Sequence, residues 1–187
     1  MTEVKPTALD EVLEIVPPQY ADARGFFSET YSVARLANAG LDLVFVQDNH
    51  SVSTRRGVLR GLHYQMPPRA QDKLVRVVRG AIYDVAVDIR RGSPTFGRWV
   101  GVELSAEKWN QLFVPKGFAH GFVTLTETTE VVYKVTDYYS PEHDRSIRYN
   151  DPHIAIDWPI TAEELQLSDK DRNAPFLAEA ALPSLFP

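Results

Sequence analysis

Residues 57–73 read GVLRGLHYQMPPRAQDK: Arg60 and His63 share one β-like run, a proline-interrupted turn follows, and Lys73 opens the next run. An imidazole and an ammonium so placed can belong to a metal site, move a proton, or be a core histidine beside a surface lysine. If the segment folds back about Pro68, His63 and Lys73 face each other across a hairpin, with Cβ atoms about 4.5–5.5 Å apart. An imidazolium there is repelled by the ammonium, so the pairing favours neutral His63, the form that accepts a proton. A metal-binding barrel needs several converging ligands, as in H-x-H followed by Glu. Here Tyr64 and Gln65 follow His63, and a charged Lys73 offers no lone pair.

Two further residues could join this chemistry. In EVVYKVT, Val131, Tyr133 and Val135 alternate onto one apolar face, so the Tyr133 ring is expected to point inward. A tyrosine inside a barrel is more often packing with a satisfied hydroxyl, and His120, after the glycine turn of PKGFAHGF, reads as structural when taken alone. Arg60 falls on the opposite strand face from His63. Both reach one pocket only if Gly61 makes a bulge or a kink.

The elements that must position these residues are strands. In IYDVAVDI, Tyr83, Val85, Val87 and Ile89 share one face while Asp84 and Asp88 take the other, which reads as a strand with one buried side. Similar runs at LVFVQ, VLRGLHYQ, KLVRVVRG, GRWVGVEL, QLFVP, HGFVTL and EVVYKVT are separated by turn signals such as RGSPTFG, PKGFA and TETTE. Many short strands at close spacing predict an all-β antiparallel sandwich or barrel. Helix is expected only in short pieces: at SVARLANAG, with Ser32 as cap and Gly40 at the end, and at TAEEL, where Thr161 and Glu164 have capping-box spacing. The polar, proline-rich stretch from Asp137 is expected to pack across the barrel, and the apolar tail FLAEAALPSLFP to cover barrel surface. The whole chain, 1–187, reads as one domain.

Composition narrows the function classes. Zero cysteines exclude disulfides, thiolate metal sites and cysteine nucleophiles. A net charge of −5 speaks against nucleic-acid binding, yet residues 55–98 hold ten Lys and Arg (55, 56, 60, 69, 73, 76, 79, 90, 91, 98) against three acids (72, 84, 88). That local excess is either a solvated basic face or a site for a small anion such as phosphate. The sequence has no apolar run long enough for a membrane helix, and its start lacks the pattern of a signal peptide, so the cytoplasm is the expected compartment. It has no G-x-S-x-G, P-loop or G-x-G-x-x-G, which leaves serine-hydrolase, kinase and Rossmann readings without support.

The stretches DARGFFSETY, FVQDNHS, GVLRGLHYQ, KLVRVVRGAIYDVAVDIRRGSPTFG, VPKGFAHGFVTL and YKVTDYYSPEHDRSI, in this order, closely resemble the dTDP-4-dehydrorhamnose 3,5-epimerases, the RmlC family. The likeness runs from about Thr7 through LSDKDRNAP. It implies a cupin-type jelly-roll barrel, a homodimer, no cofactor, no metal, and a dTDP-linked 4-keto-6-deoxyhexose as substrate. By that resemblance His63 is the base, Asp171 its orienting carboxylate, Tyr133 the proton donor on the other sugar face, and Lys73 the group that stabilises the enolate oxygen. Arg24, Phe27, Glu29 and Gln47, Asp48, Asn49 match positions that hold the nucleotide end. Arg60, His120 and Lys170 match further substrate contacts, and Tyr139 lies in a segment that lines the family's site. The chain departs at Asp144, where the family often has the longer Glu.

The implied reaction suits these residue types. In a 4-ketohexose both C3 and C5 are α to the carbonyl, so one ketone acidifies two centres. Inversion takes a proton from one face and returns it to the other, which calls for two groups. Alternatives are a single-centre epimerase, a metal-dependent cupin using His63 and His120, and a non-catalytic nucleotide-sugar binding protein.

Overall fold

In the computed structural model, residues 2–184 are described. The strands are β1 (Glu3–Pro6), β2 (Leu13–Val16), β3 (Tyr20–Asp22), β4 (Gly25–Phe27), β5 (Gln47–Ser53), β6 (Leu59–Gln65), β7 (Lys73–Arg79), β8 (Ala81–Asp88), β9 (Trp99–Ser105), β10 (Gln111–Val114), β11 (Phe118–Thr124), β12 (Thr129–Val135) and β13 (Asp144–Ser146). Two short helices, α1 (Val33–Asn38) and α2 (Asp169–Arg172), complete the elements. A six-stranded sheet of order β1-β2-β10-β7-β12-β5 faces a five-stranded sheet of order β13-β6-β11-β8-β9, and β3 and β4 form a separate hairpin. This is the expected all-β jelly roll of cupin type.

Apolar side chains that alternate inward from both sheets make the core. Val75 and Val77 of β7, Leu112 and Val114 of β10 and Val131 of β12 meet Ile82 and Ala86 of β8, Leu104 of β9 and Phe118 and Phe122 of β11. A second layer lies outside the five-stranded sheet. There Leu62, Tyr64, Val85, Val87, Ile89 and Ala119 are covered by Ile147, Ile154, Leu177 and Ala180. The C-terminal segment is fixed by polar bonds as well: buried Asp151 accepts the Leu177 N–H at 2.6 Å, and Tyr64 donates to the Ala181 carbonyl at 2.7 Å. The apolar tail therefore packs on barrel surface as far as it is described, with residues 185–187 lying outside the described residues.

Three expectations are corrected. β6 and β7 are not a hairpin. They lie in opposite sheets, and the connection 66–72 crosses between them, anchored by Asp72, whose backbone N–H and carboxylate both bond the Thr136 hydroxyl at 2.9 Å. β8 does not have one buried side, because Asp84 and Asp88 are as inaccessible as Val85 and Val87. LVFVQ is irregular up to Val46, and the strand begins at Gln47. The capping-box pair at Thr161 and Glu164 forms, with the Thr161 N–H 3.3 Å from Glu164 Oε2, but closes only a turn. The expected first helix is present, with Ser32 Oγ accepting from the Arg35 N–H at 3.4 Å.

Candidate active site

One cavity, of about 590 Å³, opens between the two sheets. His63 and Arg60 enter it from β6, His120 from β11, Lys73 from β7, Tyr133 from β12, and Gln47 and Asn49 from β5. Asp144 of β13, Tyr139, and Lys170 and Asp171 of α2 close its rim.

Arg60 and His63 share the cavity because β6 is irregular between them. Opposite β11, His63 pairs with His120 and Arg60 with Phe122, so two residues of β6 span one of β11. The extra residue falls at Gly61 and Leu62, where Gly61 has φ +140 and lies so near β11 that a Cβ would stand 2.5 Å from Gly121 Cα. Only glycine fits there.

His63 Nε2 is 2.5 Å from Asp171 Oδ1. Ser168 caps α2 and holds Asp171 twice, accepting its backbone N–H at 3.1 Å and donating its hydroxyl to the carboxylate Oδ2 at 2.9 Å. Burial alone would raise the Asp171 carboxyl, but hydrogen bonding and charge from His63, with help from Ser168 and the Gly61 N–H, outweigh it and hold the group below its usual range. Asp171 therefore stays anionic, fixing the imidazole through Nε2.

Lys73 meets His63, though from the facing sheet rather than across a hairpin: its ammonium donates to the His63 carbonyl at 3.1 Å. Burial pushes the Lys73 ammonium down to about 8, against the pull of the Asp84 and Asp144 carboxylates. Tyr133 projects from the six-stranded sheet, and burial raises its phenol, keeping it protonated. An imidazole and a phenol thus face one space from opposite sheets, with the buried Lys73 ammonium between β6 and β7.

Sequence reasoning missed one member of this constellation. Asp84 of β8 is wholly inaccessible, and its Oδ1 lies 2.7 Å from His120 Nε2. The signal was present: Asp84 shares its strand face with Ile82 and Ala86, which a solvent face does not carry two at a time.

Other expected residues sit elsewhere. The Asp48 carboxylate pairs with Lys134 at 2.8 Å and lines a neighbouring cavity together with Glu29, which itself pairs with Arg35 at 2.5 Å. Arg24 and Phe27 stand on the β3–β4 hairpin, outside the cavity lining, with Arg24 paired to Asp22 at 2.5 Å. Asp144 Oδ2 accepts from Lys170 and stands 3.4 Å from the Tyr139 hydroxyl, so the short carboxylate still reaches both rim residues. Of the ten basic residues in the local excess, Arg60 and Lys73 line the cavity, while Arg56, Arg69 and Arg90 are tied to Glu164, Asp137 and Asp88. Among the described residues no group of three or more His, Asp or Glu is arranged to hold a metal.

The sequence model of dTDP-4-dehydrorhamnose 3,5-epimerase matches residues 6–179. The chain belongs to this epimerase family. A relative from Pseudomonas aeruginosa named dTDP-4-dehydrorhamnose 3,5-epimerase is 53% identical over 92% of this chain and 94% of its own. The crystal structure of a Legionella pneumophila 3,5-epimerase, in complex with dTDP-4-keto-L-rhamnose, has a TM-score of 0.94 and 49% identity over the full length of both chains. A Streptomyces niveus relative named dTDP-4-dehydrorhamnose 3-epimerase is 41% identical over 98% of this chain and 88% of its own. As a member of the epimerase family the protein is an enzyme, an isomerase.

Proposed function

We propose that the protein inverts both C3 and C5 of dTDP-4-dehydro-6-deoxy-D-glucose, giving dTDP-4-dehydro-L-rhamnose, without a cofactor. The observation that carries this reading is the opposition of His63 on β6 and Tyr133 on β12 across one cavity that also holds the buried Lys73 ammonium.

His63, held by Asp171 through Nε2, takes the α-proton with its other nitrogen. General base help of this kind is worth about 10²–10⁴-fold. The electron pair moves onto O4 as the enolate forms, where the Lys73 charge stabilises it more than it stabilises the ketone. Tyr133 returns a proton to the opposite face. The imidazolium and phenolate so produced re-equilibrate through solvent, which resets the site for the second carbon. Arg60 and Lys170 provide charge for the diphosphate, with Gln47, Asn49 and Tyr139 at the nucleotide end, and His120 contacts the sugar.

Arg24, Phe27 and Glu29 match nucleotide-holding positions yet lie outside this cavity, and Tyr20, Phe26 and Phe27 of the β3–β4 hairpin are exposed. Both facts support a homodimer in which the hairpin serves a second copy. No helix among the described residues is long and apolar enough to cross a membrane, and the cytoplasm is the compartment we propose.

The test is an NMR time course in D₂O with dTDP-4-dehydro-6-deoxy-D-glucose. Deuterium is expected at both C3 and C5, with His63→Ala and Tyr133→Phe each reducing turnover by about 10²-fold or more. Label at one carbon alone would replace this reading with single-centre epimerisation, which the 3-epimerase name of the Streptomyces niveus relative favours. Binding without exchange at either carbon would refute catalysis on this substrate.

A further inference from the structure

The cavity contains two histidine–carboxylate pairs on adjacent strands, since His63 of β6 stands opposite His120 of β11. His63 is bonded to Asp171 and serves the proposed proton transfer. His120 is bonded to Asp84, which the mechanism above does not use. This second pair is built with unusual restriction. Asp84 is fully inaccessible, and its other oxygen, Oδ2, is buried without any hydrogen-bond partner among the described residues.

A buried carboxylate oxygen left unpaired costs stability, so a purely structural role is poorly served by it. Retaining an aspartate here makes sense if its charge and its single bond act on neighbours. The bond engages Nε2 of His120, so the ring's remaining nitrogen, Nδ1, has no protein partner among the described residues while the ring lines the cavity. A carboxylate accepts, so the nitrogen it meets carries the proton and the other keeps its lone pair. The charge of Asp84 is, in turn, the strongest of those sustaining the nearby Lys73 ammonium against its burial.

We propose that Asp84 is a positioning residue of the epimerisation: it locks His120 as the neutral tautomer protonated on Nε2, so that Nδ1 accepts a hydrogen bond from a hydroxyl of the sugar ring. This rests on the epimerase reading above and extends it. A hydroxyl held in this way fixes the ring's rotation between His63 and Tyr133, and loss of that orientation acts on turnover rather than on nucleotide binding. The phosphate and nucleotide end is held by other residues.

Long-range ¹H–¹⁵N correlation of the histidine rings reads the tautomer directly in the full-length protein, with His120 assigned by its loss in His120→Gln. The wild type is expected to show His120 protonated on Nε2 alone, at neutral pH and with dTDP bound. Asp84→Asn offers an amide that donates as well as accepts, so His120 should become a mixture of tautomers and kcat should fall, with the Kd for dTDP unchanged. Asp84→Leu removes the acceptor: His120 should then exchange between tautomers and kcat fall on the order of a hundredfold, with the Kd for dTDP unchanged. A wild-type His120 protonated on Nδ1, or on both nitrogens, overturns the proposal. So does a folded Asp84→Leu protein with undiminished kcat. If Asp84→Leu does not fold, Asp84→Asn decides: a lost tautomer with full activity would show that the tautomer has no consequence. Solvent exchange in the wild type separates the two levels. Its absence removes the epimerase reading and this inference together, whereas its presence beside an unaffected Asp84→Leu removes the inference alone.

Discussion

Lys73 carries a positive charge at a place where water cannot stabilise it. Burial holds its ammonium at about 8, partly offset by Asp84 and then Asp144. If that charge receives the enolate oxygen, activity depends on the protonated form and must decline as pH rises through about 8, roughly tenfold per unit above it. Tyr133 does not supply the same limb, because its burial moves the phenol upward from its ordinary value of 10.0. A kcat/KM profile from pH 6 to 10 checks this. Lys73→Arg should be slower because a planar guanidinium does not fit the ammonium's place, but its alkaline limb should disappear, since arginine stays protonated throughout. A limb that remains near pH 8 in that variant would assign the titration to another group. The Lys73 environment was only half legible in the sequence. A hairpin about Pro68 brings His63 and Lys73 together, and they do meet, but through the facing of two sheets. Residue spacing cannot distinguish a two-stranded turn from a crossing between sheets of similar length. The Asp171 contact with His63 spans 108 residues and no local pattern encodes it; resemblance alone pointed there. Asp84 is not legible as a site residue, because alternation in β8 reads as one buried and one wet face.

At the scale of elements, β6 does the aiming. Strict alternation would send Arg60 and His63 to opposite faces, and the added residue at Gly61 and Leu62 brings both into the cavity. This was readable in advance, because a glycine between two polar residues that need one pocket is the usual mark of a bulge. Gly61→Ala should therefore do double damage. Its Cβ would strike Gly121 Cα at 2.5 Å and the His120 carbonyl at 3.0 Å, and φ +140 is strained for any side chain. We expect a loss of about 1–3 kcal/mol from backbone strain, measured by urea unfolding, and a further loss of kcat in the protein that remains folded. A stable Gly61→Ala protein with full turnover would mean that the bulge does not aim His63. The direction of Tyr133 on β12 was equally legible, since Val131 and Val135 flank it with period two. The covering of β8 was legible in outline, since the stretch from Asp137 and the tail are expected to pack on the barrel, but the residues that make it were not. Its cover comes from Ile147 to Ala180, a segment with turns and single anchoring bonds such as Asp151 to Leu177, whose hydrophobic residues follow no period.

At the scale of the whole molecule, what one chain lacks points to its assembly. The cavity holds His63, Asp171, Lys73 and Tyr133, but Arg24 and Phe27 stand away from it on the β3–β4 hairpin. Arg24 meets only its own turn neighbour, Asp22, among the described contacts, and Phe27 is 68% exposed. Phe26 packs edge-on against Trp109 at 4.7 Å, but the exposed ring of Phe27 is costly in water, and burying one such ring contributes roughly 1.5–3 kcal/mol. In the proposed homodimer a second copy of the chain would cover this hairpin, and two-fold symmetry would return an identical hairpin to the first cavity. Sedimentation velocity of the wild type should therefore give a dimer of 187-residue chains. Phe27→Asp places a carboxylate where the ring would be buried, so it should shift the population toward monomer at micromolar concentration. It should also weaken dTDP binding while leaving the His63–Asp171 pair intact, because that pair lies wholly within one chain. A Phe27→Asp protein that remains dimeric and binds dTDP normally would place the hairpin outside both the interface and the nucleotide site. A monomer with normal dTDP affinity would keep the interface and remove the shared site.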